Sequence, residues 1–391
     1  MPFQSKTEIL ANAKKSLLRL RSRSLGTIPK KGMVIGMIKG ICHPGDDFNS
    51  IKECGFTWVR TDCPFPYENG EILSEKYIQY KEKCREHKEF GFKVMSITPN
   101  PKHFAKYGAE NTADIIEFIA RDMKGLVDGW QIANEMNIYF FRAPLSFDKS
   151  IDFIAEGLKG VRRVDKDILL GYNFSEYSES SIYMMEKLSD FKELYNYVGY
   201  DGYYGTWIKG SPDDYVTAIE KIHKLTGAKV LLQEFGFASV GEIIEPNEFD
   251  ELMPQYGFED FEAAKANCEA FLEKIPKRLS DFIKSAPREE WEESLRNLES
   301  HMLKKWVGGS SEFPHSEEGQ AHFYDVLLSK LMEIPYLIGL MIFCWSDSGT
   351  CFFCLEKDCP CETAWGLVTK AGEKKASYYA VKKHLDSVDT R

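Results

Sequence analysis

The sequence has no glycine-rich phosphate loop. The run Gly36-Met-Ile-Lys-Gly40 shows neither the G-x-G-x-x-G spacing nor the Lys-Ser/Thr pair of a P-loop, which argues against a nucleotide-binding doubly wound fold. No H-E-x-x-H or comparable catalytic metal motif occurs, so the chemistry is expected to run without a catalytic cofactor. A basic excess is missing as well. With 50 Lys and Arg against 60 Asp and Glu, the net charge is -10, and the electrostatic footprint of a nucleic-acid partner is absent. The longest apolar run near the C-terminus, Tyr336–Trp345, falls well short of the roughly 20 residues that cross a bilayer, so no membrane partner is expected. The first residues lack the continuous apolar stretch and small-residue cleavage site of a signal peptide. A cytoplasmic location follows as the expectation, with the ten cysteines as free or metal-bound thiols. Internal repeats and low-complexity tracts are lacking too.

Aromatic residues, in contrast, are abundant. Seven Trp, 19 Tyr and 26 Phe make up 13% of the 391 residues; most are read as core, and a minority as lining a groove that stacks on flat ligand faces. Short apolar runs alternate with amphipathic stretches. Strands are expected at Met33–Ile38, Thr57–Thr61, Phe92–Ile97, Gly129–Ala133, Ile168–Tyr172, Tyr197–Gly202, Lys229–Gln233 and Gly339–Cys344. Helices are expected at Ser74–Phe90, Thr112–Lys124, Ser146–Val164, Ser178–Leu194, Pro212–Thr226, Glu317–Glu333 and Ala376–Leu385. Strand-helix alternation implies parallel strands joined by crossovers, and eight strands favour an α/β fold of the closed (β/α)8 TIM-barrel type. The barrel is placed at 32–391, and residues 1–31 form a lead-in with a short helix over 5–22. One interval breaks the rhythm: about 110 residues separate Lys229 from Gly339, far more than a crossover needs. The excess, residues 241–315, reads as an acidic helical insertion in the loop after strand seven. Such loops lie on the face of a barrel that carries active sites, so the insertion is read as a lid, with a peripheral packing element or an oligomerisation arm as the alternatives.

Two apolar strands end in a glutamate. The first is Trp130-Gln-Ile-Ala-Asn134-Glu135-Met-Asn137 and the second Lys229-Val-Leu-Leu-Gln233-Glu234-Phe-Gly236. In a barrel both carboxyls emerge at the rim, on strands four and seven, across one mouth. Two carboxyls facing one cleft suit glycosidic cleavage: one protonates the leaving oxygen, and the other attacks the anomeric carbon or activates water. With these residues the sequence resembles the clan of retaining glycoside hydrolases on (β/α)8 barrels, clan A, which includes cellulases, β-mannanases, β-galactosidases and β-glucosidases. The resemblance covers roughly residues 32–388, apart from the insertion. It implies that Glu135 is the acid/base, Glu234 the nucleophile and Asn134 a partner of the sugar 2-OH, with carboxyls about 5–5.5 Å apart.

The same resemblance implies further roles. In Gly55-Phe-Thr-Trp58-Val-Arg60-Thr-Asp62, Arg60 would support the nucleophile; in Gly199-Tyr200-Asp201-Gly202-Tyr203-Tyr204, either Tyr203 or Tyr204 would reach it. Trp345, in Phe343-Cys344-Trp345-Ser-Asp347, would form the floor of the sugar site. Asp62, His43, Asn137, Trp207 and His103 are candidate rim residues. Asp201 stands where several families of the clan have His, and no His ends strand three, so the resemblance stops at the clan. The expected function is a retaining β-glycosidase that hydrolyses oligosaccharides or small glycosides, exo-acting if the insertion covers the mouth. The alternatives are an endo-β-glycanase or transglycosidase with an open cleft, and a non-catalytic carbohydrate-binding barrel. Finally, Cys351, Cys354, Cys359 and Cys361 crowd together just after strand eight, a spacing that suits a structural zinc site, free thiols or disulfides.

Overall fold

The computed structural model describes residues 36–68, 72–295, 298–357 and 359–388. The expected 5–22 helix and most of the 1–31 lead-in therefore lie outside the described residues. Eight parallel strands close into a barrel: β1 (Ile38–Cys42), β2 (Trp58–Asp62), β3 (Lys93–Ile97), β4 (Gly129–Ile132), β5 (Leu169–Ser175), β6 (Tyr197–Gly202), β7 (Lys229–Phe235) and β8 (Leu337–Ile342), with β1 paired to both β2 and β8. Around it run α1 (Phe48–Glu53), α2 (Glu75–Glu89), α3 (Thr112–Asp122), α4 (Phe147–Val164), α5 (Glu179–Leu188), α6 (Pro212–Thr226), α7 (Glu317–Leu331) and α8 (Ala376–Val388). The fold is a TIM barrel. A two-residue ribbon, Tyr67–Glu68 with Ile72–Leu73, decorates the loop after β2.

Local chemistry sets the helix starts. Serine side chains cap five of them: Ser74, Ser146, Ser178 and Ser316 each accept a bond from the amide three residues on, and Ser211 from the amide two residues on, satisfying a donor that the first turn leaves open. The first strand is a correction. Of the apolar run Met33–Ile38 expected to form it, residues 33–35 lie outside the described residues; among the described ones pairing begins at Ile38 and runs through Lys39 and Gly40. Lys39 is buried there and sends its ammonium to the carbonyl of Leu385, which offsets the cost of placing a lysine in a strand. Helix α1 was not anticipated either; it has only six residues, too few for periodicity to show.

The barrel interior is divided into two zones. Its lower part is filled by Ile38, Trp58, Met95, Leu169, Tyr197, Leu231 and Met341. Toward the strand C-termini the inward residues turn polar, with Arg60, Gln131, Asn173, Asp201 and Gln233 all buried. A larger apolar cluster lies between strands and ring helices and includes Ile116, Ile154, Leu158, Ile219 and Leu327. Between β7 and α7 the described residues make six short α-helices, from Glu248–Leu252 to Leu298–Leu303, with two 3-10 turns among them, around a core of their own that includes Met253, Phe271, Leu279, Ile283 and Leu298. Among the described residues no helix is long and apolar enough to cross a membrane.

Candidate active site

Glu135 and Glu234 reach the C-terminal mouth of the barrel by two local departures from regular structure. After β4 the chain turns sharply, with positive φ at Ala133 (54°) and Glu135 (42°). Non-glycine residues in that region each cost about 1–3 kcal/mol, and here the surroundings hold them. The Ala133 amide donates to the Thr98 hydroxyl (2.8 Å), and the Glu135 amide donates to Asn173 Oδ1 (2.9 Å). In β7 the register slips on both sides. Tyr200 pairs with Leu232 but Asp201 with Glu234, and Leu340 pairs with Leu232 but Ile342 with Phe235. This bulge lets two consecutive side chains, Gln233 and Glu234, both serve the barrel interior, where strict alternation would send one outward. Gly199 makes room for it, since a Cβ there would fall 1.8 Å from Gln233 Oε1.

Arg60 organises the polar layer. Its guanidinium donates to Glu234 Oε1 (2.5 Å), Gln131 Oε1 (2.8 Å) and Asn134 Oδ1 (2.8 Å), while buried at 3% exposure. Burial opposes its charge, but Glu234 and its other acidic neighbours outweigh that and hold the guanidinium firmly protonated. The second carboxylate oxygen, Glu234 Oε2, accepts from the Tyr203 hydroxyl (2.7 Å). Burial, followed by the charge of Glu234, pushes the Tyr203 phenol up and keeps it a donor. Asn134 Oδ1 also receives Gln131 Nε2 (3.0 Å) and Asn173 Nδ2 (2.9 Å), so the amide is fixed and its Nδ2 is what Asn134 can offer a ligand.

Glu135 sits in the opposite electrostatic setting. Its carboxyl is pushed up to about 8, first by burial and then by the charge of Glu234, with smaller lowering contributions from Ser175, Arg60 and Asp201 beside it. Asp201 is fully buried, accepts from Asn173 Nδ2, and is itself raised by burial and by both glutamates. Glu135, Asp201 and Glu234 thus lie close enough around one buried guanidinium that the charge of each raises the cost of charging its neighbours.

Both glutamates line a cavity of about 770 Å³ with Arg60, Asp62, Asn134, Tyr203, Trp207 and His43. Helices of the 241–315 segment add Leu279, Phe282, Ile283, Leu298 and His301 to its wall. Arg142 ties the two sides together, donating to the Asn137 carbonyl (3.0 Å) and to Glu290 Oε2 (2.6 Å).

Some sequence candidates stand elsewhere. Trp345 is 2% exposed and packs edge-on against Phe56 (6.4 Å) and Tyr378 (6.0 Å) behind the barrel wall, not in the cavity. The end of β8 instead presents Phe343, whose ring meets Tyr203 at 6.1 Å, and Trp365 completes that wall. We expect Trp345→Ala to cost about 3–5 kcal/mol of stability, as loss of a buried aromatic does, with KM of the folded fraction unchanged. Paired denaturant melts and kinetics check this. Tyr204 packs edge-on against Tyr215 (5.1 Å), and of the two tyrosines it is Tyr203 whose hydroxyl bonds Glu234. Asn137 is buried and stitches the Ser175 backbone through both its amide atoms. His103 lies in an adjoining groove, stacked on Phe65 at 6.1 Å.

Sequence reasoning missed Asn173, Gln131, Gln233 and Glu362. The first three are polar residues inside apolar strands, and that is the signal that marks them. Glu362 is hidden in the cysteine-rich loop; it lines the cavity, and burial followed by the charge of Glu234 pushes it up to about 8.

No family model matches this chain, and no curated protein does. Solved structures match its fold. A glucosidase from Croceicoccus marinus shares 10% identity at a TM-score of 0.58, over 90% of this chain and 68% of the other. The Ignisphaera aggregans GH53 catalytic domain shares 15% identity at a TM-score of 0.58, over 93% and 99%. A GH2 β-galacturonidase from Eisenbergiella tayi shares 15% at a TM-score of 0.52, over 90% of this chain but 51% of the other, so the chain spans about half of that protein's length. At such identities the likeness is one of fold.

Proposed function

We propose that the protein is a retaining β-glycosidase that hydrolyses β-linked oligosaccharides or small glycosides by double displacement. The observation that carries this reading is the asymmetry of two strand-end glutamates in one cavity. One is pushed up to about 8, and the other has both oxygens held by Arg60 and Tyr203. The first is suited to deliver a proton, the second to attack. Neither role requires a cofactor.

In the first step Glu234 attacks carbon one while Glu135 protonates the departing oxygen, giving a glycosyl ester on Glu234 and a free alcohol. Esterification removes the negative charge of Glu234, which is the second cause of the raised Glu135 carboxyl. Glu135 therefore becomes more acidic after the first step, as a group that must next act as base requires. It then takes a proton from water, water attacks carbon one, and the sugar leaves with its configuration retained. In this reading Asn134 Nδ2 holds the 2-OH, a contact that strengthens as the ring flattens.

The insertion side chains along the cavity wall favour a pocket and exo action. A second reading, an endo-acting glycanase or transglycosidase, is favoured by the groove that continues past Asp62 and Ile97 to Asn100, His103 and Phe65. A panel of nitrophenyl β-glycosides, with the product anomer followed by NMR in the first minutes, tests the proposal. Turnover of one member with the β-anomer appearing first is expected. An α-anomer appearing first would sink the retaining mechanism, and release of internal fragments from an oligosaccharide would favour the endo reading.

A further inference from the structure

The cysteine-rich loop after β8 and the last helix of the insertion meet at one point. His301, Cys351 and Cys359 are all buried, and their ligating atoms lie within 4.8 Å of one another. His301 is 9% exposed, and its Nδ1 has no hydrogen-bond partner, an arrangement that costs free energy unless something occupies that lone pair or proton. The Cys354 thiol lies in hydrogen-bonding range of both Cys351 and Cys359. Cys361, the fourth cysteine of the sequence motif, takes another part: its thiol donates to the Ser300 carbonyl (3.4 Å), and its own carbonyl accepts from Trp365 Nε1 (2.8 Å).

We propose that His301, Cys351, Cys354 and Cys359 form a structural site for a borderline-soft divalent cation, zinc by ligand type, that fastens the insertion to the β8 loop. Three thiolates and one imidazole are a closed tetrahedral set that leaves no position for substrate or water. On zinc, with bonds of roughly 2.0–2.3 Å, tetrahedral ligand atoms stand about 3.5–3.8 Å apart, so His301, Cys351 and Cys359 need only a small contraction, and Cys354, outside that group of three but beside both thiols, moves in to close the set. Binding releases the thiol protons to solvent and involves no redox change.

The site borders the cavity. His301 lines it and meets the cavity residue Trp207 at 5.4 Å. The ligand loop runs on into Glu362 and Trp365, and Trp365 packs edge-on against Tyr203 at 5.3 Å. The cation would thus hold one wall of the cavity in place from behind while touching no reacting atom.

Metal analysis of the full chain, purified from zinc-supplemented growth without chelator, tests this independently of any turnover. About one zinc per chain is expected, falling to near zero in C351S and C359S and unchanged in C361S. Cobalt titration of the reduced wild type should give thiolate charge-transfer bands and intense tetrahedral ligand-field bands, and it decides the matter should a cysteine variant fail to fold. Wild type that binds neither ion, a C351S/C359S pair that keeps its zinc, or a Cys351–Cys359 disulfide in freshly isolated protein would each overturn the proposal.

Discussion

Glu234→Ala should lower turnover of an aryl β-glycoside by about 10⁴-fold or more, a loss of roughly 5.4 kcal/mol of transition-state stabilisation. The variant removes the attacking atom and leaves the acid, the cavity and Arg60 in place. It also leaves a buried guanidinium without its carboxylate, and breaking such a pair costs about 3–5 kcal/mol of stability. Glu234→Gln should therefore be run alongside, since the amide oxygen can still accept from Arg60 while the side chain cannot attack. The alanine variant opens a space beside carbon one, where added azide should restore cleavage of an activated substrate and give the α-glycosyl azide. A well-folded variant that retains a tenth of wild-type activity would remove Glu234 from the chemistry.

Glu135→Gln should separate substrates by leaving group. A poor leaving group needs the proton, so its first step should slow by about 10²–10⁴-fold; a dinitrophenolate, stable as an anion, should leave at close to the wild-type rate. The pH profile makes the same point with a definite sign. A general acid must be protonated, and burial followed by the charge of Glu234 pushes this carboxyl up to about 8. Wild-type kcat/KM should be level on approaching pH 8 from neutrality and fall about tenfold per unit above it. In Glu135→Gln that alkaline limb should disappear for activated substrates. A limb that persists unchanged would assign the titration to another group. Asp201→Ala offers a further reading of the same cluster: with the hydrogen bond by which Asp201 lowers the Glu135 carboxyl gone, the limb should move to higher pH.

Much of the barrel was legible because its strands are buried on both faces and read as short apolar runs. Tyr197–Gly202 and Pro212–Thr226 stand in the structure at the bounds their composition suggests. The first strand was misplaced because Met33–Ile38 is the more apolar run, whereas pairing with β2 and β8 selected the stretch that contains Lys39 and Gly40. Trp345 was misread for a related reason: a tryptophan at a strand end looks the same in sequence whether it faces the mouth or the ring helices. Periodicity could not separate Tyr203 from Tyr204, since both lie beyond the last paired residue of β6, where alternation no longer applies.

The sequence by itself determined the alternation of strand and helix, the two strands that end in glutamate, the arginine at Arg60 and the crowding of cysteines after β8. These are local in the chain, and apolar period and residue type are enough to read them. The tertiary structure alone decided that a bulge turns Glu234 inward beside Gln233, that Glu135 and Asp201 share a buried pocket with one guanidinium, and that His301 arrives next to Cys351. Each of these joins residues far apart in sequence. Their chemistry depends on distance and burial, and those exist only once the barrel has closed.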